Sequence, residues 1–77
     1  MSTLAAKVME PLVSATYAYF VNQILYVSLS DGREISVPIN KIPWLHWLAT
    51  ATPAQRQNWS LEPNGFAIYW EDLDDGI

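Results

Sequence analysis

From Leu12 onward the chain alternates apolar and polar positions, then shifts to helical spacing, then alternates again. Over residues 13–20, Val13, Ala15, Tyr17 and Tyr19 share one face of an extended segment, because successive side chains of a strand point to opposite sides. Val21-Asn22-Gln23 reads as a turn. Leu25, Val27 and Leu29 then alternate with Tyr26 and Ser28, the pattern of a half-buried strand. Next comes Ser30-Asp31-Gly32-Arg33. Asp-Gly between alternating segments supplies the positive φ angles of a tight hairpin turn. In residues 34–37, Ile35 and Val37 are expected to face the core, with Ile39 beyond them. Pro38 has no N–H to donate, so this strand ends there or lies at an edge. The three segments predict an antiparallel three-stranded meander.

The period then changes. Asn40 is placed to cap a helix, with Pro43 in its first turn. Residues 44–49 form the expected body, with Ile42, Leu45, Leu48 and Ala49 along one side. Thr52-Pro53-Ala54-Gln55 has the form of a capping box, with proline at the first helical position. It starts a second short helix ending near Asn58. Residues 59–62 and 66–70 return to strand pattern around Pro63-Asn64-Gly65, with Phe66, Ile68 and Trp70 on one face and Tyr69 on the other. The fold class is therefore α+β: a three-stranded meander, one or two short helices, then a C-terminal β-hairpin. Residues 1–11 are expected to be a lead-in, disordered or a short helix, and residues 12–77 a single domain.

Composition narrows the possibilities. The chain has 77 residues and no cysteine. A domain of this size buries only about 60% of its unfolded surface, and disulfides are not available to support it. Four Trp, four Tyr and two Phe supply bulk instead, and self-association is the other expected remedy. Absence of cysteine and of a signal-like N-terminus suits a cytoplasmic protein. Ser14, Thr16, Asn22, Gln23 and Ser28 interrupt the apolar stretch after Leu12, so a strand reading is preferred to a membrane span.

Charge is the asymmetric property. Four carboxylates (Glu71, Asp72, Asp74 and Asp75) lie within five positions near the end, whereas the first seventy residues hold four acids and four bases that cancel. Two readings compete: a solvated terminus that aids solubility, or a docking element in which the acids steer a partner and Trp70 and Leu73 anchor it. We take the second. Asp72-x-Asp74 lacks the loop that supplies six to eight oxygens to calcium, so no metal is expected. His46 is the single histidine, set between tryptophans on the helical segment, and reads as structural rather than catalytic. No nucleophile elbow or phosphate loop is present. Arg33, Lys41 and Arg56 are too separated for a nucleic-acid surface. Neither catalytic residues nor a cofactor are expected. Trp44, Trp47, Trp59 and Trp70 fill a small core in one reading and form a ligand cage in another.

Four segments, taken together and in order, carry a resemblance: residues 29–38 (LSDGREISVP), 42–45 (IPWL), 51–59 (ATPAQRQNW) and 65–75 (GFAIYWEDLDD). On these the chain resembles the DUF2442 family of small bacterial proteins, which has no assigned biochemical function. The resemblance implies a compact α+β domain. Many members are encoded beside a small DUF4160-type protein, in pairs that look like toxin–antitoxin modules. The expected function is thus a non-enzymatic protein-interaction module, antitoxin-like in role. Its expected partner is a small basic protein, met through Trp70, Glu71, Asp72, Leu73, Asp74 and Asp75, with Trp44 and Trp47 alongside. Homo-oligomers are allowed, and no direct contact with nucleic acid or membrane is expected. The alternative is a small-molecule sensor or regulatory domain with a pocket lined by two or more tryptophans.

Overall fold

The computed structural model describes residues 13–77; the expectation for residues 1–11 lies outside them. The chain runs through β1 (Ala15–Val21), β2 (Ile24–Leu29), β3 (Glu34–Pro38), two 3₁₀ turns (Ile39–Lys41 and Pro43–Leu45), helix α1 (His46–Ala49), helix α2 (Pro53–Gln57), β4 (Trp59–Leu61), β5 (Ile68–Trp70), a third 3₁₀ turn (Glu71–Leu73) and β6 (Asp75–Gly76). The first three strands form one antiparallel sheet and the last three a second, each in chain order. This is the expected α+β arrangement, with a short third strand added to the C-terminal hairpin.

The first sheet buries one face. Ala18, Leu25 and Val27 are buried there, with Phe20, Leu29 and Val37 packed alongside. The expected face of β1 is corrected by a register shift between Ala15 and Tyr17. A bulge adds one residue to one strand and so exchanges the faces on either side of it. Ala15 therefore packs against the core, while Tyr17 and Tyr19 join Tyr26 on the outside. Ile35 faces the same way as the buried Val27 opposite it, yet it keeps 46% of its surface exposed on the edge strand. The β2–β3 turn also differs from expectation. Only Gly32 has positive φ (93°). Its N–H reaches Leu29 O at 3.1 Å, and Leu29 N–H reaches Arg33 O at 2.8 Å. That closes a three-residue loop with glycine at the left-handed position.

The helical segment is more broken than its spacing suggests, and Asn40 caps nothing. Ile42 precedes proline and is held extended (φ −110°, ψ 109°), because the proline ring disfavours helical backbone one residue before it. Two separate 3₁₀ turns result, and only residues 46–49 reach α geometry. The apolar side still holds: Ile39, Leu45 and Leu48 are fully buried, each worth about 1.5–3 kcal/mol of transfer free energy. Thr52 forms the expected capping box: Oγ1 accepts from Gln55 N–H at 3.1 Å, and Gln55 Oε1 accepts from Thr52 N–H at 2.9 Å.

Arg56, on α2, binds these pieces together. Its Nε donates to Leu48 O (3.2 Å) and its Nη2 to Ala49 O (2.8 Å) and Gln23 Oε1 (2.8 Å), while Nη1 donates to Asn22 O (3.1 Å). The guanidinium also lies 5.3 Å from the centre of the Phe20 ring. One side chain thus satisfies carbonyls at the end of α1 and fixes the β1–β2 turn. Its own carbonyl accepts from Trp70 Nε1 at 2.9 Å, which ties α2 to the second sheet.

Candidate functional site

The second sheet has an apolar inside and an anionic outside. In the β4–β5 register Trp59 faces Trp70, Ser60 faces Tyr69 and Leu61 faces Ile68. Ile68 and Trp70 are buried, with Trp59 and Leu61 packed against them. Alternation therefore sends Ser60 and Tyr69 to the other face. The strand is shorter than its pattern suggested: Phe66 lies in the preceding turn and is 54% exposed.

The acidic stretch after Trp70 is folded, not trailing. Glu71, Asp72 and Leu73 make a 3₁₀ turn, and Asp74 closes it in the left-handed region (φ 50°, ψ 44°). Asp tolerates that backbone better than most residues. The turn reverses the chain so that β6 pairs with β5, Gly76 opposite Tyr69 and Asp75 opposite Trp70. Ile77 and Ile68 exchange two backbone hydrogen bonds of 2.8 Å each. Leu73 and Ile77 pack against the core and anchor both ends of the segment.

Anchoring leaves the carboxylates exposed but held. Asp74 Oδ1 accepts from Tyr69 Oη at 2.7 Å, Asp72 Oδ2 from Asn58 Nδ2 at 3.2 Å, and Asp75 Oδ1 from Gly76 N–H at 2.8 Å. The Tyr69 phenol is raised above the usual 10.0, first by its bond to Asp74, then by burial, then by the charges of Asp74, Glu71 and Glu62. Glu62 is the member that the sequence reading missed. It follows β4, accepts from Ser60 Oγ at 2.9 Å, and the hairpin brings its charge to bear on Tyr69. Residues 57–77 hold five acids and no base. Of the arginines, Arg56 is turned toward backbone carbonyls, and Arg33 pairs with Asp31 at 2.7 Å.

The expected contact set divides. Glu71, Asp72, Asp74 and Asp75 are exposed and Leu73 is half-buried. Trp70 is corrected: it has no exposed surface and packs edge-on to Trp47 (5.8 Å between centroids) and Phe20 (6.2 Å). Full burial follows from its inward position on β5, and it excludes Trp70 from any contact made by the folded domain. Trp47 is half-buried, and Trp44 is 65% exposed. A second feature was also not read from the sequence. Tyr19 stacks on Tyr26 across the strands (5.1 Å, 13°), and Tyr17 meets Trp59 edge-on at 5.4 Å, so aromatic rings run from the outside of the first sheet to the second.

Among the described residues, two clefts stand out. One of about 450 Å³ lies among Gln23, Ile39, Asn40, Ile42, His46 and Thr50. Another of about 230 Å³ separates the start of β1 from Phe66, Ile68 and Ile77. No tryptophan lines either one. Among the described residues, no three His, Cys, Asp or Glu side chains gather in a way that would hold a metal ion, and no helix is long and apolar enough to cross a membrane.

A family model described as a protein of unknown function, DUF2442, matches residues 15–77. No curated protein and no solved structure matches the chain. The matched span begins with the first residue of β1 and takes in every strand and helix described above. The chain belongs to the DUF2442 family.

Proposed function

We propose that this protein is a non-enzymatic binding module that docks a small basic partner protein, in an antitoxin-like role, through the anionic face of its second sheet. The observation that carries the reading is the folding of residues 71–77. A chain end serving only solubility does not need Leu73 and Ile77 packed on the core, nor a ladder between Ile68 and Ile77. That packing holds Glu71, Asp72, Asp74 and Asp75 on a fixed surface, and Glu62 adds its charge on the Tyr69 side of the same hairpin. Charges fixed in place lose little entropy on binding and speed encounter with a surface of opposite sign. Leu73 supplies apolar contact within the patch. Exposed Trp44 offers further apolar surface elsewhere on the domain.

The test uses the neighbouring small protein that the family resemblance implies. Titration calorimetry is run at several salt concentrations on the native chain and on a variant with Glu71→Gln, Asp72→Asn, Asp74→Asn and Asp75→Asn. These amides keep an oxygen acceptor for Tyr69, Asn58 and Gly76. The expected result is weaker binding and loss of most of its salt dependence. Unchanged affinity and salt slope in a folded variant would remove the docking role from this face.

A further inference from the structure

The first sheet ends in an open edge whose character differs from the rest of the molecule. Its β1 side adjoins the second sheet, through Ala15 N–H to Gly65 O at 2.7 Å and the contact of Tyr17 with Trp59. The opposite side, β3, is an edge strand among the described residues. Exposed edges are ordinarily blunted by charge, proline or a bulge. Here Glu34 and Pro38 stand at the two ends, and the middle residues Ile35, Ser36 and Val37 are uncharged.

The backbone groups available on this edge can be deduced. Leu29 N–H bonds Arg33 O, and Ile39 N–H bonds Gln23 O. Hydrogen-bonded pairs of an antiparallel ladder recur every second residue, so Ile35 and Val37 also turn their N–H and C=O toward β2. Glu34 and Ser36 turn theirs outward. Pro38 offers only a carbonyl. The outward donors are thus concentrated near the middle of the strand, and pairing registers centred close to Pro38 are disfavoured.

We infer that β3 is a self-pairing edge: two copies join β3 to β3 antiparallel about a two-fold axis near Ile35 and Ser36, giving a continuous six-stranded sheet. Charge selects a second copy. Asp31, Arg33 and Glu34 at the start of the strand sum to −1, and Lys41, three residues beyond its end, contributes +1. Antiparallel self-pairing sets the negative end of each strand beside the positive end of the other. It also sets Ile35 beside Ile35 or Val37 of the copy, covering the apolar surface that β3 leaves open. The anionic second sheet lies on the far side of β1, so the two largest concentrations of negative charge stay apart. Pairing through β6 would instead bring Asp75 against Asp75.

Sedimentation of the native chain over a range of concentrations tests this. The expected species has twice the chain mass of 8.7 kDa, and Ile35→Lys weakens its assembly about tenfold or more. Ser36→Pro removes an outward N–H without removing a bond to β2 and is expected to act likewise. Hydrogen exchange on the unmodified protein guards against variants that fail to fold. In the dimer the amides of Glu34 and Ser36 are protected, and dilution exposes them while Ile35 and Val37 stay protected. A native monomer at all concentrations overturns the proposal, as does a dimer with freely exchanging Glu34 and Ser36 amides. Protection that arises only on adding another protein assigns the edge to that protein and likewise overturns self-pairing.

Discussion

Arg56 shows how far one side chain reaches and how little of that reach is written locally. In the sequence it is a lone base, too far from the others to form a patch. In the fold its acceptors are 7, 8, 33 and 34 positions away. Three of the four are backbone carbonyls, which carry no residue signature. The guanidinium suits this place because its donors form a fixed planar fork, whereas an ammonium is a single point. Arg56→Lys should therefore keep the charge and still destabilise the domain. Several charge-assisted bonds are lost and carbonyls of α1 are left without their partner, at a combined cost of ~2–4 kcal/mol. Thermal unfolding followed by circular dichroism should show a fall of roughly 10 °C or more for a domain of this size. A fall within a few degrees would mean that water replaces the fork at little cost. Trp70 carries the same lesson in reverse. Its position beside four acids suggested a surface anchor, but strand alternation turned it inward, and the inward reading was already present in the grouping of Phe66, Ile68 and Trp70.

Elements that rest on neighbours in sequence were legible, and those that rest on tertiary accommodation were not. The Thr52 capping box spans three residues, so its two bonds could be read directly. The Asp31-Gly32 turn was located correctly, although its loop is one residue longer than the tightest form. The bulge near Thr16 left no mark in the alternation, because Val13, Ala15, Tyr17 and Tyr19 still look regular when counted by twos. The extended Ile42 was foreseeable from Pro43, but Asn40 offered a competing cap. The junction between sheets depends on Gly65, whose φ is +83° and whose added Cβ would lie 2.5 Å from Ala15 O. Gly32 has a similar φ of +93°, with nothing within 4 Å of an added Cβ. Gly65→Ala should therefore cost more than Gly32→Ala: both incur the left-handed backbone penalty of roughly 1 kcal/mol, and only the first adds a clash at the bond joining the sheets. Denaturant unfolding of the two variants gives the comparison, and equal losses would show that the junction yields freely.

At the scale of the whole molecule, charge and edge are separated. Residues 57–77 carry five acids and no base, while the remainder holds four bases and three acids, so the −5 of the second sheet region is set against +1 elsewhere. The sequence displayed the acid run but not that Glu62 acts with it on Tyr69, nor the placement of the open β3 edge on the opposite side of the first sheet. Both depend on how the sheets are arranged around the core. Sites that share no partner residues combine nearly additively. The acid-to-amide variant should then lose affinity for a basic partner while its self-association is unchanged or slightly tighter, since net repulsion falls. Ile35→Lys should lose self-association while each chain still binds one partner. The mass of the complex decides between outcomes: two chains with two partners for the native protein, and one with one for Ile35→Lys. If either variant removed both properties while remaining folded, the acid face and the β3 edge would have to be parts of one surface, and the separation drawn from the sheet order would fail.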